Sequence, residues 1–118
     1  HSGDGPGKQV RTQLELLGRK DATMQQLVKA SEPLWLDTGR ARRGMGRLIG
    51  MAMGMLGTEK SSPGWKYMPV ELDGSNAHVI VQAVWPRELK VRVFSRIRFT
   101  LEQTAAGWRL ADAQILRN

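Results

Sequence analysis

Cysteine is absent from the 118 residues. That excludes disulfides, thiolate chemistry and any Cys-ligated zinc site. Histidine is nearly absent. Of the two present, His1 is terminal and His78 stands alone in a strand-like stretch. With no acid at ligand spacing beside it, a metal centre of the usual kind is not expected. No apolar run reaches the roughly 18 residues that a membrane-crossing helix requires, and no signal-peptide pattern opens the chain. Phosphate-loop chemistry is missing as well: GRARRGMGRL, beginning at Gly39, lacks the Gly-Lys-Ser/Thr ending. Ser61 and Ser62 lie in a Gly/Pro loop with no nucleophile elbow around them. Acids are few, 11 against 18 Lys and Arg, which leaves a net charge of +7.

The chain that remains has the usual size of one domain, and its 41% hydrophobic content argues against disorder. The opening HSGDGPG reads as a flexible tail or a remnant of expression over residues 1–7, ahead of a single domain over 8–118. It hints at a piece of a longer protein. Val10, Leu14 and Leu17 stand at helical spacing, and Gly18 is a plausible stop. Asp21 is expected to cap a second helix with Met24, Leu27 and Val28 on its apolar stripe, ending near Pro33. An irregular link carrying Trp35 follows, and Asp37 or Thr38 can cap a third helix over 40–56.

That third segment contains GMGRLIGMAMGMLG, residues 44–57, with five Gly and four Met in fourteen residues. On a helix, Met45, Leu48, Ile49, Ala52, Met53, Met55 and Leu56 share one side. Gly46, Gly50 and Gly54 fall on the other side, with Arg43 and Arg47. A membrane dimer of the small-residue kind would set its glycines among apolar residues rather than arginines. Interior glycines cost roughly 0.5–1 kcal/mol each against Ala. The expectation is that a close backbone approach or a bend offsets this. Flexible Met side chains suit either a core or an adaptable pocket.

From Gly64 the period becomes two. Met68, Val70 and Leu72 read as one face of a first strand, and Asp73-Gly74 as a hairpin turn. Ala77, Val79, Val81 and Ala83 line a second strand; Val91, Val93, Ile97, Phe99 and Leu101 a third; Trp108 and Leu110 open a fourth. The other face of the third strand carries Arg92, Phe94, Arg96, Arg98, Thr100 and Glu102. Such a row can dock an acidic protein, stack and pair with RNA, or simply discourage aggregation of the sheet. The expected class is α+β: about three N-terminal helices on a four-stranded antiparallel meander.

The layout resembles the nuclear transport factor 2-like, or cystatin-like, superfamily over about residues 8–117. The stretches that carry the resemblance are GRKDATMQQLVKASEPLWLDTG, GRARRGMGRLIGMAM, ELDGSNAHVIVQAVW and SRIRFTLEQTAAGWRLADAQIL. The resemblance implies a strongly curved sheet wrapping the helices into a cone, often around a pocket. Members include cyclases, isomerases and dehydratases, and also transport adaptors, association domains and periplasmic assembly factors of type IV secretion systems. The enzymes place an Asp or His base and a Tyr or acid donor inside the cone. Here only Asp37, Tyr67 and His78 can be nominated, at a spacing that matches no site of the family.

The reading is therefore a non-catalytic protein-binding or assembly module, one domain of a larger or membrane-anchored bacterial protein. Its partner would be another protein or a second copy. A periplasmic or membrane-anchored setting is favoured over the cytoplasm, and no cofactor is expected. The partner-binding surface would use Arg40, Arg43, Arg47, Arg92, Arg96 and Arg98. One alternative is a small apolar ligand, bound or converted in a pocket lined by Trp35, Met51, Met53, Met55, Tyr67, His78 and Phe94. The other is nucleic-acid binding by the basic face.

Overall fold

The computed structural model describes residues 5–19, 21–55, 64–85 and 96–116, with the backbone alone at 54 and 55. Among these residues the chain forms three α-helices followed by five antiparallel strands in one sheet, an α+β arrangement.

Helix α1 spans Pro6–Leu17. It starts earlier than the spacing predicts, because the fixed φ of Pro6 suits a first helical turn. Pro6 and Gly7 thus belong to the helix and not to the tail. Val10, Gln13, Leu14 and Leu17 are buried at i, i+3, i+4 and i+7. Helix α2 spans Met24–Ser31. Its cap is Thr23 rather than Asp21. The Thr23 hydroxyl accepts from the Gln26 N–H at 3.2 Å, and the Gln26 side chain accepts from the Thr23 N–H at 2.8 Å. This reciprocal box satisfies two end groups at once, which a lone acid two residues upstream cannot. Thr23→Ala is expected to lower stability by about 1 kcal/mol, measured by urea unfolding. No change would mean that packing of Leu27 alone holds the helix.

A 3-10 turn, Glu32–Leu34, leads to Trp35, which bridges in parallel to Leu110. Helix α3 is one unbroken stretch, Gly39–Met55, rather than two bent pieces. Thr38 caps it, accepting from the Ala41 N–H at 3.1 Å. Ala41, Met45, Leu48, Ile49 and Ala52 are buried, while Gly46 and Arg47 are exposed, as the helical spacing predicts.

The strands are β1, Gly64–Tyr67; β2, Glu71–Asp73; β3, Asn76–Val84; β4, Arg96–Thr104; and β5, Gly107–Leu116. The expected first strand is split: β1 and β2 both pair with β3 along the same edge. Tyr67 pairs with Val81 and Glu71 with His78, so three residues, Met68 to Val70, oppose two. The surplus residue is a bulge at Pro69, which has no N–H to give a ladder. Before it Trp65 and Tyr67 share the face of Ala83 and Val81; after it Leu72 shares the face of Ala77. Met68, Val70 and Leu72, expected inside, are 38%, 40% and 69% exposed, Leu72 although it lies on the expected face.

The turns follow from their glycines. Gly74 takes φ +64° at the first loop position between β2 and β3, and Gly107 takes φ +111° where β5 begins. One face of the sheet is buried under the helices: Ala77, Val79 and Val81 on β3, Ile97, Phe99 and Leu101 on β4, Leu110 and Ala113 on β5. No helix among the described residues is long and apolar enough to cross a membrane.

Candidate functional site

Among the described residues, the layer between helices and sheet holds an apolar core and one buried polar cluster. Gln13 and Ser31 have no exposed surface, and Trp35 is 5% exposed. The Trp35 indole N–H donates to Gln13 Oε1 at 2.6 Å, and Gln13 Nε2 donates to the Ser31 hydroxyl at 3.1 Å. The cluster ties α1 to α2 and to the link before α3. Trp35 is therefore a structural key in the core. Met51 and Met53 are half-buried against the core; the side chains of Met55 and Phe94 lie outside the described residues.

The acid-base candidates are not assembled. Asp37 is on the surface and pairs with Arg42. Tyr67 points inward from β1 with the Arg11 guanidinium 4.2 Å from its ring centroid. His78 is on the opposite face of the sheet, 3.4 Å from the Thr100 hydroxyl. A strand-thick sheet separates Tyr67 from His78, so they cannot line one pocket. A hollow of about 520 Å³ lies elsewhere, between the end of α1 and the start of α2, lined by Arg19, Asp21, Ala22, Gln26 and Leu27. This is a more polar lining than an apolar ligand wants. No group of three or more His, Asp or Glu among the described residues is placed to hold a metal ion.

Burial raises the Tyr67 hydroxyl above its ordinary value of 10.0; Arg11 opposes the shift and Glu15 adds to it. A raised folded-state value means that the neutral phenol is the form the fold favours. Its contribution is complete below pH 10 and is lost as pH rises through the folded value. The stability of the wild type should therefore fall more steeply above pH 10 than that of Tyr67→Phe. Parallel slopes in urea midpoints against pH would refute this.

The β5 edge of the sheet is taken up by contacts from the rest of the chain. At β5 the Leu110 carbonyl accepts from the Leu36 N–H at 2.8 Å, the Ala113 carbonyl from Arg47 at 3.0 Å, and the Trp108 carbonyl from Gln9 at 2.7 Å. Arg40 pairs with the buried Asp112 at 3.2 Å. The bulge in β5 at Ala111, between the Leu101–Leu110 and Thr100–Asp112 pairs, turns Asp112 toward α3. Two of the three arginines expected on a partner surface of α3, Arg40 and Arg47, thus also hold that helix to β5, although all three are exposed. At the other edge, Pro69, its bulge and the charges of Lys66, Glu71 and Asp73 resist pairing.

What stays available is the face of the sheet away from the helices. Arg96 and Arg98 are exposed on it, as their alternation with Ile97 and Phe99 predicts; Arg92 lies outside the described residues. The register orders the face in rows. Lys66, Gln82 and Arg96 form one; Ile80, Arg98 and Gln114 the next; then Glu71, His78 and Thr100; then Asp73, Asn76, Glu102 and Arg109. The first two rows hold three cations and no acid among their described residues. The last two hold three acids and one Arg. Arg47 grips Ala113, next to Gln114, which brings the α3 arginines to within one strand of Arg98.

Gln13, Asp112 and Gly44 escaped the sequence reading. Gln13 could have been found as a polar residue inside the Val10–Leu14–Leu17 stripe. Comparisons of the chain with protein-family models, with curated proteins and with solved structures find no match.

Proposed function

We propose that this domain is a non-catalytic protein-binding or assembly module, built on a nuclear transport factor 2-like plan and belonging to a larger or membrane-anchored bacterial protein. The element order, three helices and then an antiparallel meander covered on one side, supports that plan. The curvature of a cone goes with it. The observation that carries the functional reading is the exposed sheet face, with Lys66, Arg96 and Arg98 gathered in two neighbouring rows. A concentrated charge of one sign on a rigid sheet steers a complementary macromolecule. The inner side favours the same reading, because Gln13, Ser31 and Trp35 bond to each other and, of the nominated acid-base residues, Tyr67 alone points inward.

The test is a photo-crosslinking amino acid placed at Gln82, in the middle of that face, with Gln25 on α2 as the control; both side chains are exposed. In the native cell, adducts with a protein from position 82 and not from 25 are expected. Adducts with RNA or DNA, or none from either position, would overturn the reading. The former would establish the nucleic-acid alternative.

A further inference from the structure

The hollow between the end of α1 and the start of α2 takes no part in the docking face. Two opposite charges line it, Arg19 and Asp21. Among the described residues, no ion pair or hydrogen bond joins these side chains to each other or to a neighbour. Asp21 is at liberty because Thr23 caps α2 in its place.

Local structure supplies the rest of the lining. Gln26 Oε1 accepts from the Thr23 N–H at 2.8 Å, which fixes the side-chain amide and leaves Nε2 to donate. Leu27 is 2% exposed and Ala22 packs against the same core, so these two give the hollow an apolar floor. Its volume of about 520 Å³ lies in the range of small-molecule sites.

The lining selects by charge. A simple anion would be drawn by Arg19 and opposed by Asp21; a simple cation would meet the reverse. A wholly apolar molecule would displace water from both charges without replacing its hydrogen bonds. One carboxylate, beside an amide oxygen already engaged, is too small a donor set for a metal ion. A molecule that carries both charges a short way apart complements the pair. We propose that the hollow binds a zwitterion of the amino-acid class. Its carboxylate lies on the Arg19 guanidinium and Gln26 Nε2, its ammonium on Asp21, and an aliphatic side chain on Ala22 and Leu27. A free amino acid and a dipeptide share this chemistry, and the volume admits either. Arg19 and Asp21 are exposed. Their ion pairs are therefore screened and the site is weak, with a dissociation constant on the order of 1 mM.

Amide NMR of the full chain reads binding residue by residue. The ligands are compared at low salt and about pH 6.5, where leucinamide keeps its ammonium. L-Leucine, titrated to about 20 mM, should give saturating shifts at Arg19, Asp21, Ala22, Gln26 and Leu27. Leucinamide lacks the carboxylate and N-acetyl-leucine lacks the ammonium; each should bind at least about fivefold more weakly. Two variants separate the charges. Arg19→Gln should weaken leucine binding about fivefold and remove its advantage over leucinamide, while its advantage over N-acetyl-leucine persists. Asp21→Asn should do the converse. Unchanged amide positions away from the hollow show that each variant is folded. Leucyl-leucine binding more tightly than leucine assigns the hollow to dipeptides, and the opposite order assigns it to free amino acids. Absence of shifts with both zwitterions overturns the proposal. So do blocked forms that bind as well as leucine, and shifts centred elsewhere in the domain.

Discussion

Replacement of Gln13 by Ala is expected to lower the stability of the domain by about 3 kcal/mol, with a fall in melting midpoint on the order of 10 °C. The reason is the environment of its side chain. Gln13 accepts from the buried Trp35 indole N–H and donates to the buried Ser31 hydroxyl. A buried donor left without an acceptor costs about 1–3 kcal/mol, and truncation at a site with no exposure adds a void. Gln13→Met keeps most of the volume and separates the two contributions; it should lose about half as much. The combination of Gln13→Leu with Trp35→Phe removes both ends of the short bond, and should be less damaging than the sum of the single changes. Additive losses would show that the bond contributes nothing beyond packing. The helices and the Trp35–Leu110 bridge meet at this cluster, so its loss should also loosen the seat of α3 on β5.

The glycines of α3 should respond with opposite signs. A Cβ at Gly44 would stand 3.0 Å from the Ala113 backbone nitrogen and 3.0 Å from Asp112 Oδ1, and 3.3 Å from the Trp35 ring. The Ala113 nitrogen belongs to a strand fixed by its ladder and cannot yield as a flexible side chain would. Gly44→Ala must therefore push α3 off β5, straining the Arg40–Asp112 and Arg47–Ala113 ties, at about 2–3 kcal/mol. At Gly46 and Gly50 a Cβ would meet nothing within 4 Å. Gly46→Ala and Gly50→Ala should each stabilise by roughly 0.5–1 kcal/mol through helix propensity and a less flexible unfolded chain. Urea unfolding of the three variants distinguishes them; a common sign would contradict the geometry. The close backbone approach expected at Gly46, Gly50 and Gly54 is thus not found at Gly46 or Gly50 but at Gly44, and no bend interrupts the helix.

How far the sequence could be read depended on the range of the forces involved. Val10, Leu14 and Leu17 marked α1, and Leu48, Ile49 and Ala52 marked α3, because the 3.6-residue period is a local property. The alternation through Val79 and Val81, and through Ile97, Phe99 and Leu101, marked β3 and β4 for the same reason. The first strand was misread in phase over β1. Pro69 was visible, but whether it sits in a straight edge or a bulge depends on how Tyr67 and Glu71 register against β3. The roles of Arg40 and Arg47 were hidden as well. Arg40 finds Asp112 at 72 positions' separation and Arg47 finds Ala113 at 66, and no local pattern foretells such pairs. Tyr67 and His78 were both legible as chemically able residues; only the pairing of β1 with β3 put them on opposite faces.

The sequence by itself determined the class of the fold, the inward faces of α1, α3, β3 and β4, the exposure of Arg96 and Arg98, and the absence of thiol chemistry. These follow from composition and short-range periodicity, which act between residues a few positions apart. Only the tertiary structure decided that five strands share the sheet, that Gln13 and Asp112 are buried, that Gly44 touches a strand, and that charge divides into two ends of one face. Each of these depends on register between segments distant in the chain, and register is set by the packing of the whole.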